Sequence, residues 1–208
     1  MSFSLNLQSY TIGKQIQRVY EPDPLQVEAF YQQNRNDAYW ARIWPASIGL
    51  CEFLQHHPEY IEGKIVLELA AGLGLPGLYA ARWTKSVTIT DKEPMAAAIV
   101  RQSAEYLHLK NVNAATLDWN KLAEAPQHEV LLLSDVNYEP AVFKQLLEIL
   151  KSALERKVVV VISTPHRLVA KAFITELLSY SRFQWNSNIL MEQKETGVSV
   201  FVLEHRSE

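Results

Sequence analysis

The stretch that most constrains how this chain can fold runs from Ile65 to Gly77, I-V-L-E-L-A-A-G-L-G-L-P-G. Ile65, Val66, Leu67 and Leu69 make a short apolar run, which suits a strand buried on both faces of a parallel sheet. Glycine then occupies positions 72, 74 and 77, with Pro76 between the last two. Glycine permits positive φ and lets another group approach the backbone closely. Proline fits the first turn of a helix, where its missing N–H costs nothing. The segment therefore reads strand, tight turn, helix. That is the first half of a nucleotide-binding βαβ unit, with a ligand over the C-terminal end of the strand.

The spacing Gly72, Gly74, Gly77 satisfies G-x-G-x-x-G, which by itself does not name a ligand. Glu68 adds a constraint. An acid at the mouth of a buried strand is costly unless a cationic or hydrogen-bonding group meets it. Two partners suit it: the ammonium of a ligand, or the N–H groups of the loop itself.

Length and composition narrow the class. A chain of 208 residues, 48% hydrophobic, can bury a substantial core as one domain. Its net charge is −3 and it has no Lys/Arg stripe, so broad capture of nucleic acid is not expected. Cys51 is the single cysteine, which excludes an intrachain disulfide and suits a reducing compartment. No secretory pattern opens the sequence and no apolar run is long enough to span a bilayer, so a cytoplasmic protein without a membrane partner is expected. The six histidines lack metal-site spacing, and no metal is expected.

Taken in order, residues 1 to 40 read as an N-terminal segment and 41 to 208 as the main domain. Tyr10 to Tyr20 suggests one or two short strands, stopped by Pro22 and Pro24, and Leu25 to Gln33 a short helix. Asp37 to Pro45, D-A-Y-W-A-R-I-W-P, is dense in aromatics. Trp40 and Trp44 are either a hydrophobic clamp on the sheet edge or an aromatic wall beside a cationic ligand. Pro45 opens a helix to about His56. After the glycine turn come a helix over 75–83 and a strand over 87–90 that ends in Asp91. That acid lies where a βαβ unit places its ribose ligand, with Glu93 a nearby substitute and helix capping the alternative. An Ala-rich helix over 94–109 leads to a third strand, 112–117, closed by Asp118-Trp119. A fourth strand, 130–133, ends in S-D-V-N-Y, and a helix over 141–154 follows. A fifth strand, 158–162, ends near His166 and Arg167, before a helix over 169–180. Two further strand candidates, 183–190 and 198–205, have too short a link for a parallel crossover and must form an antiparallel hairpin.

Together these residues carry a family resemblance. From about residue 38 to 205 the chain resembles the seven-β-strand S-adenosylmethionine-dependent methyltransferases, in the group known as methyltransferase family 16, which contains many protein-lysine methyltransferases. The shared features are Trp44-Pro45, E-L-A-A-G-L-G-L-P-G at 68–77, Asp91, L-D-W at 117–119 and D-V-N-Y at 135–138, the last matching D-x-x-Y. The resemblance implies an α/β, Rossmann-like seven-stranded sheet, mostly parallel with an antiparallel C-terminal hairpin and helices on both faces. It implies that Glu68, Ala70, Gly72 and Gly74 hold the methionine part of the cofactor and Asp91 the ribose. Asp118 and Trp119 would hold the adenine region, Trp44 would lie over the cofactor, and Ser134 would join the same set. Asp135 and Tyr138 would line the methyl-transfer mouth as catalytic residues. Two positions depart from the pattern: Ala70 replaces a usual glycine, which fits if φ is negative there, and Leu73 replaces a frequent hydroxyl residue.

The expected function is N-methylation of a lysine in a protein substrate by a monomeric enzyme. Rival readings are a small-molecule N-methyltransferase, an NAD-dependent oxidoreductase built on the same glycine pattern, and a non-catalytic binding protein on the same fold. His166, near the same sheet edge, is an alternative general base.

Overall fold

The computed structural model describes residues 3–32, 35–137, 139–167 and 171–205, with backbone alone at 35–37 and 123–124. Its centre is strand β3, Ile65–Glu68, which pairs in parallel with β4, Ser86–Asp91, and with β6, Val130–Ser134. β5, Val112–Thr116, extends the sheet beyond β4, and β7, Val159–Pro165, beyond β6. The last two strands are β8, Ser181–Met191, and β9, Lys194–Leu203. The order is β5-β4-β3-β6-β7-β9-β8, and β9 runs antiparallel to both its neighbours. The seven-stranded sheet and its C-terminal hairpin thus agree with the sequence expectation. β9 alone is reversed, because β8 on its far side returns to the direction of β7.

The apolar runs serve two cores at once. Successive strand side chains point to opposite faces, so Val130 and Leu132 join the layer with Val66 while Leu131 and Leu133 join the layer with Leu67. The first layer is covered by α2, Pro45–His56, α3, Leu75–Ala80, and α4, Pro94–Tyr106. The second is covered by α5, Phe143–Glu155, and α6, Lys171–Leu177. The helix expected over 75–83 closes after Ala80, and the one expected over 169–180 is described from Lys171, with a 3-10 turn over Leu178–Tyr180.

The N-terminal residues form a hairpin, β1, Leu5–Ile12, and β2, Gln15–Pro22, longer than the alternation suggested. It lies on the outside of the first helix layer. The Tyr20 N–H donates to Ser103 Oγ of α4 at 3.0 Å, and Arg82 stacks 3.9 Å above the Tyr79 ring while donating to Gln17 Oε1 at 2.8 Å. Asp23 then caps α1, Pro24–Phe30, by accepting the N–H groups of Leu25 and Gln26.

The C-terminal hairpin also exceeds the expected length. Its turn is Glu192–Gln193, both at positive φ (50° and 62°), the geometry of a two-residue hairpin loop. The paired stretch from Asn188↔Gly197 to Met191↔Lys194 extends past Pro165, where β7 ends opposite Val198. Beyond that point no core lies against one of its sides, so residues 194–197 lack the apolar alternation that marks a strand in sequence.

Candidate active site

The C-terminal ends of β3, β4, β5 and β6 surround a cavity of about 320 Å³. The floor on the β3 side is the glycine loop. The Leu69 N–H still donates across to Leu132 O; then the chain turns sharply, with Ala70 at φ +50° and Gly72 at φ +54°. The alanine therefore does not sit at negative φ, as its presence in place of glycine suggested. An L-residue in the left-handed region costs about 1–2 kcal/mol. The loop holds it there because the Ala71 N–H donates to Thr90 O and the Gly72 N–H to Asp91 Oδ2, at 2.9 and 2.8 Å. At Gly72 a side chain is also excluded by the protein itself: a Cβ would stand 2.8 Å from the Trp40 carbonyl oxygen.

Glu68 lies beneath this loop, fully buried, and does not line the cavity. Its Oε2 accepts the Gly77 N–H at 2.8 Å, and a Cβ at Gly77 would collide with that oxygen. Burial pushes its carboxyl up to about 8, against the opposing effect of the Gly77 bond. Of the two roles open from sequence, the structure shows the bracing of the loop by Oε2, while the buried Oε1 accepts no hydrogen bond from the described residues. Gly74 is likewise turned away from the cavity, toward Ile89 and Val100.

Asp91, at the end of β4, lines the cavity, and both its oxygens serve the backbone, Oδ2 at Gly72 and Oδ1 at the Glu93 N–H (2.9 Å). Burial raises its carboxyl and these two bonds lower it, with a net upward shift. Glu93 lines the same wall, and its Oε2 accepts from the Tyr31 hydroxyl at 3.3 Å. Asp118 and Trp119 follow β5 as expected; Asp118 Oδ1 accepts the Asn120 N–H and starts a 3-10 turn over Trp119–Glu124.

The opposite wall comes from the aromatic segment before α2. Trp40 is buried, and its indole N–H donates to Tyr31 Oη at 3.2 Å. Trp44 lines the cavity with its N–H on Tyr39 O at 2.9 Å. The Arg42 guanidinium sits 4.5 Å from the Trp44 ring centre and pairs with Glu192 at the C-terminal hairpin tip, at 3.5 Å. Both tryptophans thus line the cavity, Trp40 as a buried clamp and Trp44 as a wall that already carries a cation.

The mouth lies at the end of β6. Ser134 Oγ is 3.1 Å from Ser47 Oγ of α2, and both residues line the cavity. Asp135 follows at φ +54°, with its N–H on Ser163 O of β7. Its carboxylate receives two bonds from Arg167, Nη1 to Oδ1 at 2.6 Å and Nη2 to Oδ2 at 3.0 Å. Burial raises the Asp135 carboxyl and Arg167 opposes that rise. Tyr138, the second residue expected here, lies outside the described residues. His166 does not line the cavity. Ser199 donates to Asn186 Oδ1 at 2.6 Å, which leaves Ser199 Oγ to accept from His166 Nε2 at 2.8 Å.

The structure therefore brings Trp44, Ala70, Gly72, Asp91, Asp118, Trp119, Ser134 and Asp135 around one cavity and places Glu68 and Gly74 behind it. Lys92, Arg42, Asn120 and Gln145 also line it and were not singled out from sequence. Lys92 directly follows the strand-end acid Asp91 and Asn120 follows Asp118-Trp119, a positional signal that could have found them; Arg42 and Gln145 carry none. Among the described residues no group of three or more His, Cys, Asp or Glu side chains could hold a metal ion.

Comparison with known proteins bears on this arrangement. The chain is 32% identical over 131 residues to the histone-arginine methyltransferase METTL23 of Rattus norvegicus, covering 60% of this chain and 58% of that protein. It is 34% identical over 144 residues to the protein N-lysine methyltransferase METTL21A of Danio rerio, covering 66% of each. The chain thus spans less than two thirds of the length of these curated relatives. Among solved structures, the Thermus thermophilus 16S rRNA N2 G1207 methyltransferase in complex with AdoMet and guanosine shares the fold. Its TM-score is 0.64 at 18% identity, over 99% of this chain and 52% of that one. The sequence pattern of one family matches residues 24–180, three quarters of the chain. The chain belongs to that family, the lysine methyltransferases.

Proposed function

We propose that the protein is an S-adenosylmethionine-dependent N-methyltransferase that modifies a lysine side chain of a protein substrate. The observation that carries this reading is the cavity itself, in which strand-end acids, an aromatic wall and a sharp small-residue loop converge on a volume of about 320 Å³. These residues fit the cofactor. Asp118 and Trp119 would take its adenine end. Asp91 and Glu93, which share one wall, would take the ribose hydroxyls, Asp91 through the acceptor positions that its two backbone bonds leave open. The Ala70–Gly72 backbone would face the methionine part. Bound there, S-adenosylmethionine supplies a methyl carbon activated by its sulfonium.

The protein's own contribution is alignment and exclusion of water. Trp40 and Trp44 close one side, and the Ser47–Ser134 hydroxyl pair fixes the N-terminus of α2 against β6. Asp135 stands at the mouth as a hydrogen-bond acceptor for the incoming nitrogen. A lysine must first lose a proton, because its free pKa is about 10.4. The relatives support a nitrogen on a protein as acceptor, since their names cite arginine, lysine and, for a Dictyostelium discoideum protein 28% identical over 120 residues, histidine. The same reading includes a cytoplasmic monomer without nucleic-acid or membrane partners. A net charge of −3 supports the first exclusion; for the second, no helix among the described residues is long and apolar enough to cross a membrane.

Two measurements test the proposal. Calorimetric titration should give heat with S-adenosylmethionine and none with NAD. Methyl-labelled cofactor incubated with cell lysate should label protein, and hydrolysis should place the label on lysine. Binding of NAD alone would support the oxidoreductase, label in small molecules alone the small-molecule enzyme, and cofactor binding without transfer a binding protein.

A further inference from the structure

The contact that the mouth does not need for holding a cofactor is the one between Asp135 and Arg167. Its geometry is specific: two parallel N–H···O bonds of 2.6 and 3.0 Å, the fork arrangement that suits a guanidinium and a carboxylate. The two side chains differ in setting, 6% exposed for Asp135 and 33% for Arg167. Asp135 lines the cavity and Arg167 does not. The guanidinium therefore covers the carboxylate from the outer side, and the edges that face the cavity remain able to accept hydrogen bonds, because an ionised carboxylate has about four acceptor positions.

A bare carboxylate at this place would act against the reaction. It would favour a protonated ammonium, since an opposite charge nearby stabilises the charged form, and a protonated nitrogen has no lone pair to offer. With Arg167 in place, the carboxylate keeps its acceptor geometry while its charge is balanced. We propose that Arg167 is a positioning residue that turns Asp135 into a charge-balanced acceptor, so that the substrate nitrogen is held in its uncharged, nucleophilic form. The proposal rests on the N-methyltransferase reading above. The proton lost by the ammonium goes to solvent, so no further acid or base in the protein is required.

Among the described residues, Arg42, Asp91, Lys92, Glu93 and Asp118 line the cavity together with Asp135. Glu139, on the turn that follows, lines the same cavity. His166, beside Arg167, is directed to Ser199. From β7, the Ser163 carbonyl accepts the Asp135 N–H and brings no charge.

The test compares wild type with Arg167→Gln, Arg167→Lys, Asp135→Asn and the double variant Asp135→Asn/Arg167→Gln. Transfer is read as acid-precipitable label from methyl-labelled S-adenosylmethionine onto lysate protein. Arg167→Gln should be roughly tenfold slower than wild type near pH 7, with the gap closing as pH approaches about 9.5, since each displaced pH unit is a factor of ten in the reactive form. Arg167→Lys should fall between the two, because an ammonium balances the charge without the fork. The double variant should be no slower than Asp135→Asn alone.

Two readouts do not depend on turnover. Carbon-13 NMR of the Asp135 carboxyl should show it titrating at higher pH in Arg167→Gln, and calorimetry should show cofactor affinity within twofold of wild type. A loss of rate equal at every pH would make Arg167 a mere loop anchor and overturn the proposal. A faster Arg167→Gln enzyme would make the arginine a plug, and an unshifted Asp135 titration would also overturn it. No transfer by wild type would instead overturn the functional reading, and this proposal with it.

Discussion

The two sides of the cavity use carboxylates in opposite ways. On the β3–β5 side, Glu68, Asp91 and Asp118 each accept backbone N–H groups, from Gly77, from Gly72 and Glu93, and from Asn120. On the β6–β7 side, Asp135 is held by the side chain of Arg167, from another strand's end. The first arrangement makes a rigid cradle out of acids that answer the chain's own peptide groups. The second makes an adjustable charge, because a guanidinium can be substituted without rebuilding the loop. A site that must bind one constant ligand and one variable substrate gains from having both.

The contrast can be broken on the cradle side first. Gly72→Val adds a branched side chain at φ +54° and a Cβ 2.8 Å from Trp40 O. It should cost about 3 kcal/mol of stability, read by urea unfolding, and abolish cofactor heat in calorimetry. Retention of both would show that the loop relaxes freely. At the mouth, Asp135→Asn should leave cofactor affinity nearly unchanged and lower single-turnover rate by roughly a hundredfold, within the span of positioned acid–base groups. A full rate would assign Asp135 to structure.

A subtler handle is pH. The folded Glu68 carboxyl is raised to about 8 from 4.5, so the native state binds the proton more tightly than the unfolded one. Its stabilising effect is fully present below about pH 4.5 and lost as pH rises through about 8. Thermal unfolding of wild type should fall across that window relative to Glu68→Gln, whose amide oxygen can still accept from Gly77; parallel curves would mean the carboxyl is not held protonated. The smallest effect is a gain. Ala70→Gly should relieve the left-handed alanine and stabilise the fold by about 1 kcal/mol in denaturant unfolding, less the extra entropy of glycine in the unfolded chain. A loss would show that Ala70 Cβ makes a contact worth more than the strain.

What was legible in the sequence follows the same division. Strand ends carrying Asp91, Asp118 and Asp135 could be read because apolar runs and their polar stops are local signals. The sign of φ at Ala70 could not, since residue type only biases it, and bonds from Ala71 and Gly72 to β4 overrule the bias. Arg167 was visible only as part of a loop. Its role depends on β6 and β7 lying side by side, which brings residues 135 and 167 together across 32 positions of chain. Glu68 was visible as an anomaly with two explanations, and the bracing one could be seen only once the fold set the Gly77 N–H beside it.

The position of β9 has a consequence for how the protein is made. This strand follows β8 in sequence yet lies between β7 and β8. While a ribosome is still producing it, β7 presents an open edge and β8 has no neighbour at all, so the β3–β7 half can order before the other half has anything to join. A chain interrupted just short of Lys194 would expose that edge, the kind of row of unpaired peptide groups that recruits other chains. Truncation there should therefore give insoluble protein, because β7 would keep its open edge.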